Sequence, residues 1–367
     1  MGRVTFSLDT LRRWPDFEAP ELRAWDAADT LILDEAQPRL AGAEVTVIGD
    51  SYGALTLGAL AAGASGVRVH QDPLAGELAL RANAGRDERR FRSVPLDASL
   101  VAGASVVLIR LPRSLDALNE IASLIAAHAA PDVVVIAGGR LKHMTVSMNE
   151  VLQRHFARLD VSLARQKSRL LIAREPIAGP TVEPSRHWNA ELDLWVVATG
   201  GVFAGASLDI GTRVLLDALD QVSPFESAID LGCGTGILAA RLARLNPRAA
   251  VLASDQSAAA VASATLTMAA NDLDVRVTRD DALSQEPPGS ADLVVLNPPF
   301  HTGAAVHSGV SMKLFEAAAR VLRPGGELWS VWNSHLAYKG ALSSIVGETR
   351  QVTRTAKFTV TASIREG

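Results

Sequence analysis

Cysteine is almost missing from this chain of 367 residues, which has one, Cys233. A lone thiol excludes an internal disulfide framework and a multi-cysteine zinc site, and it suits a reducing compartment, so the cytoplasm is the expected location. Long apolar runs are missing too. No stretch of about 18 residues is free of charges and breakers, and Met1 to Pro20 alternates charged and apolar residues, so neither a membrane span nor a signal peptide is expected. His, Cys and carboxylate residues nowhere recur at metal-ligand spacing, so no metal is expected. Nor is there an excess of positive charge. The formal net charge of -4 argues against whole-surface attraction to nucleic acid but leaves room for a local basic patch. What is there is an ordinary globular composition, 48% hydrophobic and 21% charged, with length for two domains at about 150 residues each.

The chain reads as one fold written twice. Ala43 to Val69 runs as a β-branched strand, a Gly-containing turn, an Ala/Leu-rich helix and a second strand ending near Asp72, and Glu226 to Asp255 repeats that order. Gly49 to Asp72 and Gly232 to Asp255 span the same distance. Further on, Val106-Val107-Leu108-Ile109 runs into Leu111-Pro112 as Leu293-Val294-Val295-Leu296 runs into Asn297-Pro298, at an offset larger by the size of a small loop insertion. The fold class expected is therefore α/β, with two tandem doubly wound Rossmann-like lobes. The expected boundaries are residues 1–175 for the first lobe, a Pro-rich linker at 176–193, and 194–367 for the second. Leu194 to Val197 and Gly201 to Phe203 read as a hairpin leading into a helix with Asp209 and Thr212 as possible caps.

The second lobe carries the chemistry. Asp230-Leu231-Gly232-Cys233-Gly234-Thr235-Gly236 follows a strand and opens a helix, and its three glycines let the backbone turn sharply and a ligand come close. Neither the dinucleotide G-x-G-x-x-G spacing nor the P-loop pattern is met. The acidic residue before the turn suits an ammonium group and would repel a pyrophosphate. Asp255, closing the next strand, can accept both hydroxyls of a ribose. Asp281, with Asp280 as competitor, is placed to take an adenine amino group. Together these residues describe a pocket for an adenosine bearing an amino acid. The next strand ends in Asn297-Pro298-Pro299-Phe300. The Asn side-chain oxygen and the Pro298 carbonyl can accept both hydrogens of a planar NH2 group while Phe300 stacks on the plane that carries it. Such a clamp turns the nitrogen lone pair toward an electrophilic methyl, so positioning does most of the catalysis and no strong base is needed. Cys233 reads as a small space-filling side chain, and His301 as a substrate-contact candidate.

These motifs resemble the class I S-adenosylmethionine-dependent methyltransferases that act on exocyclic or amide nitrogens. The wider set of Gly201-Val202-Phe203, Leu208 to Thr212, Asn297 to His301, Pro324 to Leu328, Asn333 to Leu336 and Lys357 to Val360 resembles the bacterial ribosomal RNA guanine-N2-methyltransferase family over nearly the whole chain. The resemblance implies two tandem lobes with the first degenerate, S-adenosylmethionine as methyl donor and ribosomal RNA or a ribosomal subunit as partner. It also implies a target-base clamp at Asn297, Pro298, Pro299 and Phe300. The cofactor pocket it implies comprises Asp230, Gly232, Gly234, Gly236, Asp255 and Asp281, with Gly211 and Thr212 helping to close it. A monomer is expected.

The first lobe departs from this pattern. It has Gly49-Asp50-Ser51-Tyr52-Gly53, with a bulky Tyr where a cofactor needs a small residue, and Arg110-Leu111-Pro112-Arg113 in place of the clamp. It is expected neither to bind the cofactor nor to catalyse, and instead to hold RNA. Between Arg140 and Arg174 cations outnumber anions, and Arg140, Lys142, Arg165, Lys167 and Arg169 are the expected phosphate contacts. Two rivals remain at this level: a glutamine-amide protein methyltransferase with the same catalytic loop, and a non-catalytic RNA-binding assembly factor. Methylation of a small metabolite is a third.

Overall fold

A computed structural model describes residues 6–202, 205–298 and 304–367, with side chains from 309 onward in the last stretch. The chain divides into two compact units, Met1–Glu183 and Pro184–Gly367.

The first unit contains α1 (Ala27–Leu40), β1 (Glu44–Ile48), α2 (Ala54–Ala61), β2 (Gly66–His70), α3 (Leu74–Ala84), β3 (Phe91–Ser93), α4 (Ala98–Val101), β4 (Val106–Arg110), α5 (Leu115–His128), β5 (Val134–Arg140), α6 (Val146–His155), β6 (Phe156–Val161) and β7 (Ser168–Pro176). Its seven strands lie in the order β3-β2-β1-β4-β5-β7-β6, parallel except for β7, which runs antiparallel to both β5 and β6. The second unit opens with β8 (Ser185–Asn189) and β9 (Leu194–Ala198). There follow α7 (Ile210–Ala218), β10 (Ser227–Leu231), α8 (Ile237–Leu245), β11 (Ala250–Asp255), α9 (Ala258–Ala270), β12 (Arg276–Arg279), β13 (Ala291–Leu296), α10 (Ala304–Val321), β14 (Leu322–Asn333), α11 (Lys339–Ile345), β15 (Thr349–Arg354) and β16 (Phe358–Ile364). Its main sheet, β12-β11-β10-β13-β14-β16-β15, repeats the first strand for strand. The duplication expected from the sequence is therefore present at the level of topology.

The strands at the centre explain why both lobes read as unbroken apolar runs. In β4, Val106 and Leu108 join one apolar cluster and Val107 and Ile109 another. In β13, Leu293 and Val295 face α7, α8 and α9, while Val294 and Leu296 face α10 and α11. A parallel sheet covered by helices on both faces must be apolar at every position. Helix starts are fixed by side-chain caps. Asp26 and Asp29 form a reciprocal capping box at α1, and the Asp209 carboxylate accepts the Thr212 N–H at 3.2 Å to cap α7.

One expectation needs correction. The stretch 176–193 is more than a linker, because β8 lies inside it and pairs antiparallel with β9. Residues 194–197 thus turn back to an earlier strand rather than forward to Gly201 to Phe203, of which Phe203 lies outside the described residues. Trp188 stands opposite Trp195 with ring centroids 5.3 Å apart, and the Arg186 guanidinium lies over the Trp195 ring. Cross-strand aromatic and cation–π contacts hold the polar β8 against the apolar, largely buried β9. No helix among the described residues is long and apolar enough to cross a membrane.

Candidate active site

In the second unit the Gly-rich turn leaves β10 with Gly232, Gly234 and Gly236 all at positive φ (75°, 53° and 80°). A Cβ added at Gly232 or Gly234 would meet nothing within 4 Å, so the loop borders open space. At Gly236 a Cβ would come within 2.8 Å of Met268 Cε and 3.1 Å of Ala264 Cβ. The first two glycines serve conformation and approach, and the third serves the packing of α8 on α9. The loop is tied down from β11. The Ser254 carbonyl accepts the N–H groups of Gly232 and Cys233, and the Asp255 carboxylate accepts those of Gly234 (3.1 Å) and Ser257 (2.9 Å). Cys233 is buried, and burial pushes its thiol well above the usual range, the surroundings of a space-filling side chain.

Asp230 is wholly buried beneath this loop. Its Oδ2 accepts the Ala239 N–H of α8 at 2.9 Å, while its Oδ1 has no partner among the described residues. Burial raises its pKa to about 7, with the nearby Asp255 charge adding to the rise and the Ala239 N–H opposing it. An orphaned buried acceptor under a glycine loop that faces open space fits an ammonium-bearing ligand such as the aminoacyl end of S-adenosylmethionine. The two acidic candidates beyond β12 differ. Asp280 is buried and committed to its own turn, accepting from Ser284 Oγ and the Gln285 N–H. Asp281 pairs with Lys313 of α10 at 2.6 Å, a partner the sequence did not suggest.

Asn297 leaves the carboxyl end of β13. Its Nδ2 donates to Asp209 Oδ2 (3.1 Å) and to Thr212 Oγ1 (2.9 Å). A carboxylate can only accept, so the amide is oriented without ambiguity. Its Oδ1 is buried and without a partner among the described residues. Gly211 makes the approach possible, since a Cβ there would lie 3.0 Å from Asp209 Oδ2, 3.2 Å from Phe358 Cε1 and 3.5 Å from Asn297 Nδ2. Thr212 and Gly211 thus act on the amide. Asp209, which the sequence suggested only as a helix cap, is an orienting residue that no local pattern could have revealed. Pro298 is buried, and Pro299, Phe300 and His301 lie outside the described residues. No group of three or more metal-binding side chains occurs among the described residues.

In the first unit the matching loop is filled. The Asp50 carboxylate accepts the N–H groups of Gly53, Leu55 and Thr56, and Gln71 Nε2 donates to the Asp50 carbonyl at 2.5 Å. The Tyr52 hydroxyl donates to Asp16, and the Arg13 guanidinium lies over its ring. Apart from Arg154 on α6, the cations from Arg140 to Arg174 divide into two groups. Arg158 and Arg174 are spent on Asp160. Arg140, Lys142, Arg165, Lys167 and Arg169 gather where β5 ends beside the β6–β7 turn: Arg140 donates to the Gln166 carbonyl and Ser168 Oγ, and the Leu141 N–H to the Lys167 carbonyl. Within that group Arg165 faces Asp34 at 3.6 Å.

This architecture and glycine turn define a methyltransferase class, and the sequence comparisons give it a name. Residues 193–362 match the methyltransferase small domain family, and residues 3–176 match the RLMG N-terminal domain family. Proteins named ribosomal RNA large subunit methyltransferase G from Stutzerimonas stutzeri and Streptomyces avermitilis are each 36% identical to this chain, over 98% and 97% of it respectively and 97% of their own lengths. The Pseudomonas aeruginosa protein of that name is 35% identical over 96% of both chains. The chain belongs to the ribosomal RNA large subunit methyltransferase G family. Its fold is shared with a T. thermophilus 16S rRNA methyltransferase solved with AdoMet and guanosine, at a TM-score of 0.78, 22% identity and coverage of 93% of this chain and 92% of that one.

Proposed function

We propose that this chain transfers the methyl group of S-adenosylmethionine to the exocyclic N2 of a guanine in ribosomal RNA, as a cytoplasmic monomer. The observation that carries the reading is the Asn297 amide, held by Asp209 and Thr212 with its oxygen buried and unpartnered. When bound, S-adenosylmethionine supplies an electrophilic methyl on a sulfonium centre. Asp230 would face its ammonium group, the glycine turn would admit its backbone, Asp255 would take the ribose hydroxyls and Asp281 the adenine amino group.

Asn297 Oδ1 and the Pro298 carbonyl would then accept the two N2 hydrogens of the guanine while Phe300 stacks on the base. The Asp209 carboxylate polarises the Asn297 amide through its NH2, so Oδ1 becomes a stronger acceptor and the guanine N2 a better nucleophile. Two hydrogen bonds in the plane of the base leave the N2 lone pair, normal to that plane, free to attack the methyl. As the N–C bond forms the methyl–sulfur bond would break, the thioether S-adenosylhomocysteine would be the leaving group, and the alkylated nitrogen would shed its proton to solvent. His301 would touch the substrate near the clamp, and Arg140, Lys142, Arg165, Lys167 and Arg169 would hold RNA phosphates.

The test is incubation of the protein with methyl-labelled S-adenosylmethionine and separated 16S and 23S rRNA, followed by mapping of the modified base. Label on guanine N2 is the expected result. Label on a glutamine side chain of added protein, or absence of S-adenosylmethionine binding, would overturn the reading in favour of a protein-amide enzyme or an assembly factor.

A further inference from the structure

The turn that carries Asp281 is strained. Ala282 and Leu283, the two residues that follow it, both stand at positive φ (53° and 56°), a region that is costly for any side chain with a Cβ. Left to itself such a turn would relax, and the Asp281 carboxylate at its head would move with it.

Two cations of α10 hold it. Lys313 and Arg320 are seven residues apart, about two helical turns, and so lie on one face of the helix. The Lys313 ammonium donates to both oxygens of Asp281, at 2.7 Å and 2.6 Å, and Arg320 donates to the carbonyls of Leu283 and Glu286. The helix is fixed in turn, because Phe315 and Ala318 are wholly buried in one cluster with Val294 and Leu296 of β13. The two grips differ in what they can do. Arg320 holds backbone and sets the course of the loop, whereas Lys313 holds the carboxylate itself. A carboxylate has about four lone-pair sites, so two donated bonds fix its direction and still leave capacity for an incoming amino group. Lys313 also brings positive charge to a place where carboxylates gather, the Asp280 N–H being bonded to the Asp255 carbonyl. Its return to folding is small, since its side chain is 44% exposed and ion pairs of that kind stabilise weakly.

We propose that Lys313 is a positioning residue for S-adenosylmethionine, which fixes the Asp281 carboxylate in the orientation that accepts the adenine amino group. It acts through Asp281 rather than on the cofactor, and the inference rests on the reading of Asp281 as the adenine contact. The helix that follows the base clamp in the chain thus also braces the far end of the cofactor pocket.

The experiment is calorimetric titration of the full chain with S-adenosylmethionine and with methylthioadenosine, which lacks the aminoacyl end. Lys313→Met is expected to weaken both ligands about fivefold while melting stays within about 2 °C, and Lys313→Arg to restore most of the affinity. Asp281→Asn is expected to weaken both about tenfold. In the Asp281→Asn background Lys313→Met should cost nothing more, because the two residues act as one. Wild-type or tighter binding by Lys313→Met overturns the proposal, tighter binding meaning that the ammonium stands in the place of the adenine amino group. A loss that persists undiminished in the Asp281→Asn background overturns it too, as does one confined to S-adenosylmethionine. Wild-type affinity in Asp281→Asn removes Asp281 from the adenine site and the proposal with it, a failure of the underlying reading that shows in a different variant.

Discussion

Both lobes contain the same triangle. In the second, the helix-capping Asp209 and Thr212, three residues on, hold Asn297 at the end of β13. In the first, the helix-capping Asp26 and Asp29, three residues on, hold Arg110 at the end of β4. The scaffold is unchanged and the chemistry is inverted. An amide held by its NH2 still offers an acceptor, whereas a guanidinium has five donors and no acceptor, so it cannot orient an amine for attack. The cofactor side diverges in parallel. Val47 stands where β10 has Asp230, as the strand registers show, and the glycine turn that borders open space in one lobe is packed by Tyr52 and Gln71 in the other. A duplicated fold therefore keeps its framework of caps and strand ends while the residues at those points decide whether the lobe can carry chemistry.

The sharpest way to break this contrast is to write the first lobe into the second. Asn297→Arg is expected to form an ion pair with Asp209, to leave the fold and S-adenosylmethionine binding in place, and to lower methyl transfer by about three orders of magnitude, the scale of losing a preorganised electrostatic contact. Asn297→Ala should do the same without the new charge. Methyl incorporation and calorimetric binding on the same samples check both, and retained transfer would falsify the clamp.

Asp209 separates capping from orientation. Serine is a good N-cap but too short to reach Asn297. Asp209→Ser should therefore keep the melting temperature within about 2 °C yet lower kcat ten- to a hundredfold with little change in S-adenosylmethionine affinity, and Asp209→Asn should restore most of kcat. Unchanged kcat in Asp209→Ser would leave Asp209 as a cap alone.

Asp230 gives the contrast a pH dependence. Its folded-state pKa of about 7 lies above the unfolded value of about 4. In the ligand-free protein its contribution to stability is thus fully present below about pH 4 and is lost as the pH rises through 7. The proposed contact with the ammonium group of S-adenosylmethionine needs the carboxylate. S-adenosylmethionine affinity should accordingly fall by up to about tenfold per pH unit below 7, a slope that Asp230→Asn removes while raising apo stability at pH 8. Titration calorimetry at pH 6, 7 and 8 measures it. The smallest effect is expected in the silent lobe. Tyr52→Phe removes the hydrogen bond to Asp16, worth about 1 kcal/mol, and should lower melting of the first unit by a few degrees without changing methyl transfer.

Much of this was legible in the sequence, for identifiable reasons. Central parallel strands must be apolar throughout, so the runs at 106–109 and 293–296 announced both sheets, and the glycines at 232, 234 and 236 announced a turn that only positive φ allows. The pairing of β8 with β9 was hidden because its Trp–Trp contact crosses a polar, proline-flanked stretch. The orientation of Asn297 was hidden because Asp209 reaches it across 88 residues of chain. Lys313 on Asp281 was hidden likewise. Local pattern reports what a backbone will do, and it is silent about which distant side chain will find a given polar atom.

The position of β16 has a consequence for how the catalytic lobe comes into being. It lies between β14 and β15 and runs antiparallel to both, so β14 presents an unpaired edge until Phe358–Ile364 inserts. Phe358, the first residue of that strand, also borders the crowded space around Gly211 and Asn297. Completion of the sheet thus also supplies one wall of the space beside the Asn297 amide. A chain stopped before residue 358 would be an open-edged, aggregation-prone sheet rather than a weakened enzyme.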